Sequence, residues 1–424
     1  MIGPFASREA MASYQVAQLR QLLGTILPGN PFYRAKFGKL NSAIASLEDF
    51  ADRFPFTTKQ ELVDDQRAHP PFGSNLTFPL TDYTRYHQTS GTTSAPLRWL
   101  DTPESWAWMV ESWKEIYRAA GATSQDRVYF AFSFGPFIGF WLAFDAAQQL
   151  GCLCVPGGGL STQGRLRAIL ENKATIVCCT PSYAAHLAEV AARENFDLKA
   201  SAVRVIIVAG EPGGSVPATR RRLEQLWPGT RFFDHHGMTE TGPVSHECPA
   251  HPGTLHILDR AYLAEVVDAH GKPAAGEVGE LVLTVLGRTG SPLLRYRTGD
   301  LVRASAPCPC GRPGLALAGG LLGRTDEMVV VRGVNIFPTA VEEVLRGFSE
   351  IAEYQVEVNR SQALTELKLS IEPQLTCSAT DAERLAGRVQ HALHNVFNLR
   401  VPVALAPTGS LPRFEMKARR WKYV

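Results

Sequence analysis

Hydroxyl side chains crowd around a glycine in the run Thr89-Ser90-Gly91-Thr92-Thr93-Ser94-Ala95-Pro96. A tight turn of this composition presents backbone N–H groups and hydroxyls that can wrap phosphate oxygens. It is not a Walker A loop, because no Gly-Lys-Ser/Thr ending follows at the required spacing. Asp234-His235-His236-Gly237-Met238-Thr239-Glu240-Thr241-Gly242 follows one apolar run, and Ala209-Gly210-Glu211-Pro212-Gly213-Gly214 follows another. Open α/β sheets bind ligands outside the carboxyl ends of their strands, where both segments are expected. Glu240 is the candidate ligand there for Mg²⁺, an ion that prefers one or two carboxylates plus phosphate oxygens. Asp300, in Tyr296-Arg297-Thr298-Gly299-Asp300, follows a glycine at an expected strand end and can accept both hydroxyls of a ribose. Arg324, in Gly323-Arg324-Thr325-Asp326, offers a guanidinium fork for phosphate or ribose, and its small polar neighbours suit a hinge. Lys417 brings a cation close to the C-terminus, in Phe414-Glu415-Met416-Lys417-Ala418.

A second chemistry is written in thiols. Cys248, Cys308 and Cys310 stand among Pro, His and Gly, with His251 and His256 close by. Three sulfurs and one imidazole make a closed tetrahedral zinc set, which fits a structural ion. In a reducing compartment such a cluster favours metal over a disulfide. The expected ligands are Cys248, His256, Cys308 and Cys310, with His251 as the rival nitrogen. Cys152, Cys154, Cys178 and Cys179 lie in apolar runs and read as core.

The elements that must position these groups follow from apolar periodicity. The first fifty residues read as helical, with Tyr14, Val16, Leu19, Leu22 and Leu23 on one face and a break at Pro28-Gly29-Asn30-Pro31. Between 120 and 210, strands at 127–132, 152–156, 174–179 and 203–209 alternate with helices at 137–150, 162–172 and 181–195. That alternation predicts a parallel sheet covered on both faces. Short antiparallel strands are expected at 263–268 and 279–284, and a fresh strand at 328–331 opens a module of its own. The expected fold is therefore α/β: a large N-terminal domain (1–325) with α/β sheets and a small β-rich subdomain, then a small, mobile α+β C-terminal domain (326–424).

Size and charge narrow the function classes. The 424 residues are 45% hydrophobic and 20% charged, ordinary globular values, with a net charge of +2 that gives no field for nucleic acid or anionic membrane. Val128 to Leu150 is the nearest approach to a membrane span, but Ser133, Asp145, Gln148 and Gln149 interrupt it. No secretory signal is read at the N-terminus, so a cytoplasmic enzyme is expected.

Taken in order, Asn30-Pro31-Phe32-Tyr33, Pro55-Phe56-Thr57-Thr58-Lys59, Thr180-Pro181-Ser182-Tyr183, Gly237-Met238-Thr239-Glu240 and Cys308-Pro309-Cys310-Gly311-Arg312 resemble the landmarks of the phenylacetate–CoA ligase family. This family sits within the adenylate-forming superfamily of acyl-CoA synthetases, adenylation domains and luciferases, and the resemblance covers nearly the whole chain. It implies two steps: a carboxylate attacks the α-phosphate of ATP, giving an acyl-adenylate and pyrophosphate, and the C-terminal domain then rotates so that the CoA thiol displaces AMP. Residue by residue, it implies that Ser90, Gly91, Thr92 and Thr93 hold phosphates, and that Glu240 holds Mg²⁺ with help from Thr92. It implies that Gly210, Glu211 and Pro212, with Asp234, His235, His236 and Gly237, frame the adenine beside Met238 and Thr239. Asp300 and Arg324 would grip the ribose, and Lys417 would bridge the α-phosphate and acyl oxygen. Asp326 would be the hinge, with Arg332 and Gly333 along the thiol tunnel.

The aromatic run Phe132-Ser133-Phe134-Gly135-Pro136-Phe137-Ile138 falls where this family builds part of its acyl pocket. Phe134, Phe137 and Ile138, with Gly135 giving room and His236 adding polarity, suit a flat aryl or arylacetic acid. Four positions depart from the family pattern. Ser94 and Ala95 stand where Gly and Lys are usual, removing a β/γ-phosphate contact. His236 replaces a tyrosine, and Met416 replaces a glycine. Two other readings stay open at this point: the same activation with a carrier-protein thiol or an amine as acceptor, and a non-catalytic relative. The oligomeric state is open too, a homodimer included.

Overall fold

The computed structural model describes all residues except 1–4, 39, 90–95, 275, 306–307, 332–333, 360–364, 376 and 415–417. Helix α1, Arg8–Gly29, starts where the Ser7 side chain accepts the Ala10 N–H, and buries Leu19, Leu22, Leu23 and Ile26. It ends within the expected break at Pro28-Gly29-Asn30-Pro31, with Pro28 inside its last turn. The break falls at Asn30, whose side chain caps the next short helix by accepting the Tyr33 N–H. Helix α2, Lys59–Ala68, begins with a full capping box made by Thr58 and Glu61. A two-stranded ribbon, Arg85–Gln88 against Arg98–Asp101, then leads into helix α3, Pro103–Ala119.

Strands β1 (Arg127–Phe130), β2 (Leu153–Pro156), β3 (Ile176–Cys179) and β4 (Val205–Val208) alternate with helices α4 (Ile138–Gln149), α5 (Thr162–Glu171), α6 (Pro181–Arg193) and α7 (Pro217–Leu226). Strand β5, Arg231–Met238, completes the parallel part, ordered β5-β4-β3-β1-β2. The sheet continues with antiparallel strands β6 (Gly242–Glu247) and β7 (Thr254–Ile257). Val128, Val177 and Ile206 are fully buried, because helices cover both faces of the parallel strands.

A second, antiparallel sheet is built from β8 (Tyr262–Val267), β9 (Val278–Val285) and β10 (Tyr296–Arg303). Strand β11, Ala316–Ala318, joins the large sheet beside β7, and β12, Gly323–Arg324, joins the second beside β10. The C-terminal module has a small hairpin, β13 (Val329–Val331) with β14 (Val334–Ile336), and helix α8, Pro338–Arg346. Its sheet contains β15 (Ile351–Asn359) and β16 (Glu366–Pro373), crossed by helix α9, Ala379–Phe397, and edged by β17 (Val403–Leu405) and β18 (Trp421–Tyr423). This module has its own core, including Val356, Leu369, Leu385 and Val389. Among the described residues, no helix is long and apolar enough to cross a membrane.

Candidate active site

Glu240 sits at the tip of the β5–β6 hairpin and is buried. Its position is set from below. Arg288 Nη1 donates to the carbonyls of Thr239 and Glu240, both at 2.8 Å, and Tyr262 Oη donates to the carbonyl of Thr241 at 2.8 Å. Arg288 is itself locked by two hydrogen bonds to Asp101, of 2.6 and 2.7 Å, and both side chains are 0% exposed. Gly242 closes the turn at φ +87°, a left-handed value that favours glycine. With three successive carbonyls tied, the Glu240 carboxylate meets Lys59 Nζ at 3.7 Å. Lys59 opens α2, whose lead-in is stitched to β10: the Thr57 N–H donates to Arg295 O at 2.9 Å, and the Arg297 N–H to Thr57 O at 2.9 Å. Sequence reasoning noticed Lys59 only as part of a block and missed Asp101, Tyr262 and Arg288.

Asp300 and Arg324 come together as expected, directly opposite each other in the β10–β12 pairing. Arg324 Nη1 donates to Asp300 at 2.8 Å, and Arg324 Nε donates to Asp326 at 2.8 Å. Burial opposes the charge of Arg324, but the two carboxylates prevail and raise its pKa. Asp300 also contacts His236 Nε2 at 3.1 Å, and both residues are buried. The expected strand end is corrected: Asp300 lies in the middle of β10, within an irregularity in the β9–β10 register. Gly299 has φ +78°, and a Cβ there would stand 2.9 Å from Arg324.

The segments grouped around an adenine are split in role. Asp234 is buried and accepts the Ser215 hydroxyl at 2.6 Å; burial pushes its carboxyl up to about 7. A side chain at Gly214 would collide with it, at 2.5 Å from Asp234 Cγ. His235 points into the core, edge-on to Trp113 at 4.5 Å between ring centroids, and burial holds its pKa down at about 3, a neutral imidazole. Gly237 lies against the returning strand, where a Cβ would meet Gly242 O at 2.9 Å, and Met238 ends β5 just before Thr239. Gly210, at φ +92°, and Pro212 flank Glu211 in the turn after β4. The Glu211 carboxylate accepts the Ser182 N–H at 2.8 Å, the Ser182 hydroxyl, and the Ala418 N–H at 2.7 Å. Ala418 directly follows Lys417, so the final segment docks on the turn after β4.

The aromatic run joins the ribbon through Gln88, whose N–H donates to Pro136 O at 2.9 Å. Phe134 packs against Trp141 (4.9 Å) and Phe144 (5.6 Å), Phe137 lies edge-on to Phe140 (6.0 Å), and Trp141 Nε1 donates to Gly135 O at 2.8 Å. Ile138 is buried in the same core as Trp113, the residue beneath His235. Gly135 is not forced by crowding, since a Cβ would meet Phe137 at an ordinary 3.6 Å. Among the described contacts, His236 bonds to Asp300 and is not brought to these aromatics. Ser90, Gly91, Thr92, Thr93, Ser94, Ala95, Arg332, Gly333, Met416 and Lys417 lie outside the described residues.

The thiol set does converge. The candidate ligand atoms of Cys248, His256, Cys308 and Cys310 all lie within 4.8 Å of one another, and His251 is not among them. Cys248 Sγ and Cys308 Sγ are 3.9 Å apart, and Cys310 Sγ is 3.3 Å from His256 Nε2. A tetrahedral zinc with bonds of ~2.3 Å spaces its sulfurs by roughly 3.8 Å. Burial lowers the pKa of His256 to about 4, leaving the neutral, ligating form.

Residues 79–287 match the AMP-binding enzyme family, and residues 333–422 match the AMP-binding enzyme C-terminal domain. A phenylacetate-coenzyme A ligase of Thermus thermophilus is 32% identical over 96% of this chain and 95% of its own. The chain belongs to the phenylacetate–CoA ligase family. The ligase of the same name from Escherichia coli is 30% identical over 98% of this chain and 95% of its own. Among solved structures, 2-hydroxyisobutyryl-CoA ligase in the postadenylation state with 2-HIB-AMP superposes with a TM-score of 0.94, at 28% identity, over 99% of this chain and 91% of that one. In its thioesterification state, with CoA as well, the score is 0.74 at 29% identity over the same shares. The chain thus superposes more closely on the postadenylation form of that ligase than on its thioesterification form.

Proposed function

We propose that this chain activates an aryl or arylacetic acid with ATP and passes the acyl group to CoA. The two-step reaction is that of the family: a carboxylate oxygen attacks the α-phosphorus and pyrophosphate leaves, then the CoA sulfur attacks the acyl carbon and AMP leaves. The observation that carries the residue assignment is the 2.7 Å hydrogen bond from the Ala418 N–H to Glu211, next to Lys417. Glu240 would hold Mg²⁺, with Thr92; the ion would offset the charge of the phosphates. Ser90, Gly91 and Thr93 would complete the phosphate loop. Asp300, already fixed by Arg324 and His236, would accept the ribose hydroxyls. Lys59, paired with Glu240, brings a cation to a site whose phosphate loop lacks the usual lysine. Phe134, Phe137 and Ile138 would wall the acyl pocket, and the rigid aromatic stack supports a flat substrate. Residues 326–424 would move as the C-terminal domain about Asp326, a boundary supported by the module's separate core, with Gly333 reaching the thiol tunnel after rotation. Cys248, His256, Cys308 and Cys310 would hold a structural zinc, since four ligands leave no open position. Because it consumes ATP and CoA, the enzyme is proposed to act in the cytoplasm.

The test of the leading assignment is Lys417→Ala. Loss of one preorganised electrostatic donor is expected to lower carboxylate-dependent ATP–pyrophosphate exchange by about 10²–10³. Near-normal exchange would remove Lys417 from the mechanism. A panel of acids, scored by pyrophosphate release with CoA, a carrier protein or amines as acceptor, checks the pocket: preference for medium-chain fatty acids would overturn the aryl reading.

A further inference from the structure

Among the described residues, several contacts cross the seam between the C-terminal module and the sheet domain. Arg413 donates to Glu189 of α6 at 3.1 Å while also donating to Glu372 of its own module at 2.7 Å. Arg222 of α7 donates to the carbonyls of Ile351 and Ala352 at 2.6 and 3.1 Å. Glu343 of α8 accepts the Ala218 N–H at 3.1 Å, and Glu211 accepts that of Ala418.

Two of these give their owner a hydrogen-bond partner from the other module. Helix α7 has Val216 at its N-cap, with no side-chain cap, and Pro217 in its first turn. The first free N–H groups of a helix need an acceptor, and here the acceptor comes from the other module. Arg222 is nearly covered, with a side chain 11% exposed, yet its nearest carboxylate, Glu189, stands 4.0 Å away. Burial, reinforced by Arg346, pulls its pKa down to about 10. Water can replace what the seam gives Arg222, so docking holds by hydrogen bonds that can be exchanged for solvent.

We propose that Glu189, Arg222 and Glu343 are positioning residues for the first half-reaction. They hold the C-terminal module, and Lys417 with it, in the arrangement in which the acyl-adenylate is made, and they release it for the thioester step. This rests on the assignment of Lys417 above.

The test uses the full chain with Glu189→Gln and Glu343→Gln. Each keeps side-chain size and removes the charge facing the other module. Carboxylate-dependent ATP–pyrophosphate exchange reads the first step; single-turnover thioester formation from purified acyl-adenylate and CoA reads the second. Exchange is expected to fall about tenfold, the loss of one charge-assisted hydrogen bond, while thioester formation stays unchanged or quickens. A general folding defect would slow both. Equal loss in both steps, or no loss in exchange, overturns the proposal. If Lys417→Ala leaves exchange intact, the assignment beneath it has failed instead, whatever the seam variants do.

Discussion

The hairpin that carries Glu240 and the seam beneath the C-terminal module use the same pair of chemistries, an arginine fork and a carboxylate, at different depths. Asp101 and Arg288 are wholly buried, and Arg288 bonds both to Asp101 and to two carbonyls of the turn. At the seam, Arg413 and Glu189 keep side-chain exposures of 24% and 28%, and Arg413 shares its charge with Glu372. Depth decides what each can do. A buried pair cannot lose one member without stranding the other's charge, so it fixes geometry. A half-exposed pair is worth little to stability, which lets it open within a reaction cycle.

The sharpest way to break this contrast is Asp101→Asn. Leaving Arg288 buried and unpaired is expected to cost about 3–5 kcal/mol, read as a fall in the thermal midpoint. Both half-reactions would suffer together; a stable variant would mean the hairpin is held by something else. The thiol cluster should rank next. Purified protein is expected to carry about one zinc per chain. Chelation should lower the midpoint of the wild type, by about 2.7 kcal/mol of stability where zinc stood at a hundredfold of its Kd, and leave Cys308→Ser unmoved.

Asp234 gives a pH test of the same buried frame. Its folded pKa of about 7 lies above the ordinary carboxyl value, so its protonated form favours the folded state. The unfolded chain gives up this proton first as pH rises, so stability from Asp234 is present below about pH 4 and lost by about pH 7. Asp234→Asn should therefore gain on the wild type across that window, on the order of 1 kcal/mol by pH 5; parallel midpoint curves would refute the burial argument. The smallest stability effect is reserved for the seam. Glu189→Gln is expected to move unfolding free energy by no more than about 1 kcal/mol in chemical denaturation, although it divides the two half-reactions.

What could be read in advance follows the same line between apolar pattern and polar depth. Strands β1 to β4 and helices α4 to α6 lie within a few residues of their expected bounds, because buried runs such as Ile176–Cys179 leave an unbroken apolar signature. The convergence of Cys248, His256, Cys308 and Cys310 was legible because thiols and imidazoles recur at short spacing in a setting that gives them no core role. Asp101 and Arg288 were not: they are 187 residues apart, and in a sequence each looks like a solvated charge. The end of α1 was legible in Pro28-Gly29-Asn30-Pro31, where the last turn tolerates Pro28 and Asn30 makes the stop. Asp300 was read at a strand end because Gly299 suggests a turn, whereas the glycine instead gives Arg324 room to approach.

The borrowed cap of α7 also bears on modularity. A C-terminal module transplanted from another ligase would need an acceptor where Glu343 stands, or the recipient's helix would begin with its N–H groups facing an apolar or empty surface. Chimeras in this family can thus be designed around a single position: Glu343 retained on the incoming module, or Val216 changed to Ser or Asp so that the helix caps itself and no longer depends on which module is docked.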